Sequence, residues 1–125
     1  MTSHTNRVIA VLEDLMFMVK IQEVAKRAGW ETVVVKTREK ALAMATEQPA
    51  LMVIDLNYAP AEPLELIRAL KAAEATKHIH LMAFVSHVQT DLRAAAATAG
   101  CDTVVPRSAF AQRLPEVIQA CVSSE

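Results

Sequence analysis

Only two glycines occur in 125 residues. No Gly-rich turn follows the first apolar run, so a phosphate-cradling loop for nucleotides is not expected. The formal net charge is −1. With no basic excess to release counterions from phosphates, nucleic acid is excluded as an expected partner. No apolar run approaches the roughly 20 residues that span a bilayer, and Met1 to Arg7 lacks the apolar middle of a secretory signal. Neither a membrane nor an exported location is expected. The two cysteines, Cys101 and Cys121, stand far apart and without metal-type spacing. They read as reduced packing thiols in a cytoplasmic protein. No nucleophile–base pair is visible, and the chain is not expected to be an enzyme.

What the chain has is apolar content, 53% of its residues, against 22% charged. That fits a single domain over residues 1–125 with a sizeable core and flexible ends at 1–6 and 123–125. Short apolar runs alternate with helical periodicity throughout. Strands are expected over Arg7 to Leu12, Glu31 to Lys36, Leu51 to Asp55, His80 to Val85 and Thr103 to Val105. The first helix should bury Phe17, Ile21, Val24, Ala25 and Ala28 and stop at Gly29. Thr37 can cap the second, and Pro63 suits the first turn of the third, after a loop from Leu56 to Glu62. Ser86-His87-Val88-Gln89 fits a capping box for the fourth helix, which ends at Gly100. Pro115 should divide the last helical segment into a turn and a helix. The alternation predicts a flavodoxin-like α/β fold: five parallel strands, doubly wound, in a (βα)5 three-layer sandwich.

In such sheets, ligand sites lie outside the C-terminal tips of the strands. The first tip carries Glu13 and Asp14, the third Asp55, the fourth Val85 and Ser86, and the fifth Pro106 and Arg107. Acids suit a hard divalent cation such as magnesium, and a nearby guanidinium suits a phosphoryl group.

In this order, Val11-Leu12-Glu13-Asp14, Leu51 to Leu56, Ala99-Gly100-Cys101-Asp102 and Val104 to Arg107 resemble the receiver domains of bacterial two-component response regulators, over essentially the whole chain. The resemblance implies a phosphorelay module with Asp55 as phosphoacceptor. It implies Mg2+ held by Glu13, Asp14, Asp55 and the carbonyl of Asn57, and a histidine kinase or other signalling protein as partner. It also implies a departure from the family pattern. Val85 stands where a Thr or Ser hydroxyl is usual, Val104 replaces the switch aromatic, and Arg107 replaces the lysine. The loop after Asp55 lacks the usual glycine.

For individual residues both readings stay open. Asp14 is as well explained by an N-cap as by metal binding. Ser86 is a cap first and a substitute phosphoryl contact second. Arg107 is either a planar fork that holds Asp55 bidentately, the favoured reading, or a plain surface arginine. Two functions therefore compete: a phosphoacceptor at Asp55, or a phosphorylation-independent interaction or homodimerisation domain on the same fold.

Overall fold

The computed structural model describes residues 5–86 and 89–123. Five strands form one parallel sheet: β1 (Thr5–Val11), β2 (Glu31–Val35), β3 (Pro49–Asp55), β4 (His80–Val85) and β5 (Thr103–Pro106). The spatial order is β2-β1-β3-β4-β5, so the chain winds outward in both directions from β1 and β3. Helices α1 (Leu15–Arg27), α2 (Arg38–Ala45), α3 (Pro63–Ala72), α4 (Thr90–Ala99) and α5 (Arg107–Ser123) follow the strands in turn. This is the doubly wound flavodoxin-like sandwich that the alternation predicts.

Period-2 alternation sorts the strand side chains into two cores. Ile9, Val11, Met52, Ile54, Leu81 and Ala83 pack with Leu66, Ile67 and Leu70 of α3 and with Ala41 of α2 and Ala96 of α4. Val8, Ala10, Leu51, Val53, Met82 and Phe84 pack on the other face with Ile21 of α1 and Phe110 and Ile118 of α5. Every residue of β3 is buried, which is why it reads as a continuous apolar run instead of an alternating one.

Several boundaries differ from expectation. Thr5 and Asn6, counted with the loose N-terminal end, belong to β1. Residues 1–4 and 124–125 of those expected ends lie outside the described residues. Within the loop after Asp55, Ala59–Ala61 forms a 3-10 turn, and Glu62 then takes the left-handed conformation with φ 48°. A glycine would adopt that conformation without the steric penalty. Ala28 is exposed and closes α1, and Gly29 follows it with φ 80°.

Two expectations are corrected. Helix α4 starts at Thr90, and its N-cap is Gln89, which makes no side-chain capping bond. Ser86 is thus too far upstream to cap it, while His87 and Val88 of the proposed box lie outside the described residues. Pro115 does not divide the last segment, because α5 runs through it. The residue is exposed while Leu114, Val117, Ile118 and Cys121 are buried. The carbonyl that loses its amide partner therefore lies on the solvent side, and the packed face holds the helix together.

Candidate functional site

Asp55 ends β3 opposite Phe84 of β4 and is only 7% exposed. Its carboxylate is held by a tight turn. The amide of Asn57 donates to Asp55 Oδ1 at 2.9 Å, and the amide of Tyr58 donates to the Asp55 carbonyl at 3.1 Å. Burial raises the Asp55 pKa above its ordinary value. The Asn57 amide and the Arg107 charge pull it back in part, and the Asp14 charge pushes it further up.

Asp14 reaches the same edge from the end of β1. Its Oδ1 accepts from the amides of Met16 at 2.9 Å and Phe17 at 3.2 Å, capping α1. Its Oδ2 accepts from Arg107 Nη2 at 2.7 Å. The cap reading of Asp14 is thus met, and an ion pair accompanies it.

The structure does not form the expected bidentate clamp of Arg107 on Asp55. Arg107 Nη1 lies 3.6 Å from Asp55 Oδ1, and the short contact goes to Asp14. The rings explain the placement. The guanidinium carbon sits 4.6 Å from the Phe17 centroid and 5.2 Å from that of Phe84. Those two rings and Phe110 form a mutual cluster with centroids 4.7, 5.3 and 4.8 Å apart. The sequence contains three phenylalanines, and all of them serve this cradle. Sequence reasoning placed Phe17 on a buried helix face but missed this role. Its position three residues after the cap, on the first turn of α1, is the signal that could have revealed it.

Asn57 has a second function in its side chain. Its Oδ1 accepts from the Ser86 amide at 3.0 Å, and its Nδ2 donates to Gln89 Oε1. Asn57 therefore ties the turn after β3 to the segment between β4 and α4. Ser86 contributes its backbone here and is half-buried. Val85 is fully buried at the tip of β4, beside Pro106 of β5, and offers no donor. Val104 is half-buried and packs against the core on the α2–α4 side.

Glu13 is exposed. Among the described residues no group of three or more His, Cys, Asp or Glu side chains could hold a metal ion. The two inward acids already bracket Arg107. The set Glu13, Asp14, Asp55 and Asn57 does not fit a resident divalent cation in this arrangement. Chemically, the edge is a buried carboxylate, a capping carboxylate and one cation fixed between them.

Among the described residues no helix is long and apolar enough to cross a membrane. Burial pushes the thiols of Cys101 and Cys121 up to about 11, consistent with packing residues.

No protein-family model and no curated protein matches the chain. Solved structures do. A response regulator from Hahella chejuensis shares 21% identity at a TM-score of 0.81, covering 94% of this chain and 95% of that one. The phosphorylated cyanobacterial phytochrome response regulator RcpA shares 18% identity at 0.78, covering 98% and 97%. The beryllofluoride-activated NtrC4 receiver domain, a dimer, shares 16% at 0.80, covering 96% and 98%. At these identities what is shared is the fold.

Proposed function

We propose that this chain, which has the fold of response-regulator receiver domains, is a receiver-type module of two-component signal transduction that acts by docking to another protein. The single observation carrying this reading is the convergence of Asp14, Asp55 and Arg107, distant in sequence, on one sheet edge in that fold. The partner is a histidine kinase or another signalling protein. Leu15, Met16 and Val19 of α1, next to the Asp14 cap, are 72%, 79% and 50% exposed, which supports a protein partner at this edge.

We favour the version in which docking does not require phosphorylation. Arg107 gives its short contact to Asp14, and Val85 and Val104 supply neither hydroxyl nor aromatic. One observation favours the phosphoacceptor version: the raised Asp55 carboxyl has only a 3.6 Å contact with the cation, so Asp55 is not locked into a tight pair.

Amide NMR with acetyl phosphate or beryllofluoride and Mg2+ tests both. No shift around Asp55, together with partner binding retained in Asp55→Asn, is the expected result. Saturable shifts centred on Asp55, with binding lost in the variant, would establish the phosphoacceptor instead.

A further inference from the structure

The acid edge already contains its cation. The Arg107 guanidinium lies 2.7 Å from Asp14 Oδ2 and 3.6 Å from Asp55 Oδ1, against the rings of Phe17 and Phe84. A divalent ion needs carboxylate oxygens turned toward it and a shell completed by further oxygens and water. Here Asp14 uses Oδ1 on the first turn of α1 and Oδ2 on Arg107, while Asp55 Oδ1 accepts from the Asn57 amide.

We propose that Arg107 is the resident cation of this edge and takes the place of Mg2+, making the centre metal-independent. An incoming divalent ion would meet a fixed positive charge between the oxygens it needs. Displacing that charge would break the ion pair with Asp14 and strip the guanidinium from both aromatic faces. An arginine suits this role better than a lysine, since its planar fork can face two acids while its flat surface lies on a ring. The inference rests on reading this edge as the counterpart of a receiver centre, but not on phosphorylation of Asp55.

The test is a Mg2+ titration of the full chain followed by amide shifts at Asp14, Asp55 and Asn57, for wild type, Arg107→Met and Arg107→Gln. The methionine keeps an apolar side chain against the rings and removes the charge. Wild type is expected to show no saturable shift at millimolar Mg2+. Arg107→Met should saturate at a concentration at least about tenfold lower than any wild-type response, because the like charge is gone. If Arg107→Met fails to fold, Arg107→Gln, which also removes the charge, decides: saturation below wild type supports the proposal, and equality with wild type overturns it. Wild-type saturation matching that of Arg107→Met, or no response in any folded variant, also overturns it. Adding beryllofluoride with Mg2+ to the wild type, which keeps Arg107, separates the two ideas. Mg2+ binding by the charge-free variant, with no beryllofluoride response in the wild type, leaves the resident cation standing and removes only the phosphoacceptor version.

Discussion

Asp14, not Asp55, takes the short contact from Arg107, at 2.7 Å against 3.6 Å. Asp14 therefore has two separable tasks, a cap through Oδ1 and an ion pair through Oδ2. Asp14→Asn keeps a good capping oxygen and loses the charge, whereas Asp14→Ala loses both. Both partners of the ion pair are about one-third exposed, so in water it contributes no more than about 1 kcal/mol. The cap contributes about 1 kcal/mol more. Urea unfolding should rank wild type above Asp14→Asn and Asp14→Ala last. Equal losses in the two variants would show that the cap is idle.

Asp55 should lower the stability of the protein as pH rises through its titration range. Its folded pKa lies above the ordinary 3.8, with burial as the main cause. Between those two values the folded state binds more protons than the unfolded chain, so stability declines across that window and stays lower above it. Asp55→Asn removes the ionisation and keeps an oxygen for the Asn57 amide. The variant should be more stable than wild type at neutral pH, and the gap should shrink in acid below the ordinary value. Urea midpoints over a pH series give the comparison. A gap that widens toward acid would mean that Arg107 outweighs burial.

Asn57 bridges two loops through one amide, accepting from Ser86 and donating to Gln89. Asn57→Ala deletes both bonds while leaving its own backbone amide on Asp55. Asn57 is exposed, so the global cost should stay near 1 kcal/mol. Hydrogen exchange at the Ser86 amide should nevertheless speed up markedly, with core amides of β3 unchanged. Unaltered protection at Ser86 would mean that this bridge does not hold the segment.

The fold was legible because strands buried on both faces write themselves as apolar runs. Pro49–Asp55 is entirely buried, and its acid end marks a strand tip without further information. The convergence of residues 14, 55 and 107 followed from the alternation of elements. The pairing inside that edge did not. Whether Arg107 meets Asp14 or Asp55 depends on where Phe17 and Phe84 hold the guanidinium, and those rings come from two elements far apart in sequence. Likewise Ser86 looked like a cap because its spacing to Gln89 matches one, yet Asn57 from another loop takes both polar groups. Local spacing cannot reveal a competitor that arrives through tertiary contact.

Pro115 gives the last case in which tertiary packing overrides a local rule. It is the ninth residue of the 17-residue α5. It cannot donate to the Ala111 carbonyl, and its ring crowds that turn. The helix continues because Phe110, Leu114, Val117, Ile118 and Cys121 are all buried on its inner side. The rest of the fold thus tolerates a strained turn, which should be recoverable. Pro115→Ala adds one amide donor at an exposed position and creates no cavity. Proline disfavours a helix interior by about 3 kcal/mol relative to alanine, and the cost is smaller here because the unpaired carbonyl belongs to the exposed Ala111. The variant should gain about 1–3 kcal/mol in urea unfolding with an unchanged denaturant slope. A loss of stability would show that the ring of Pro115 is itself a packing element.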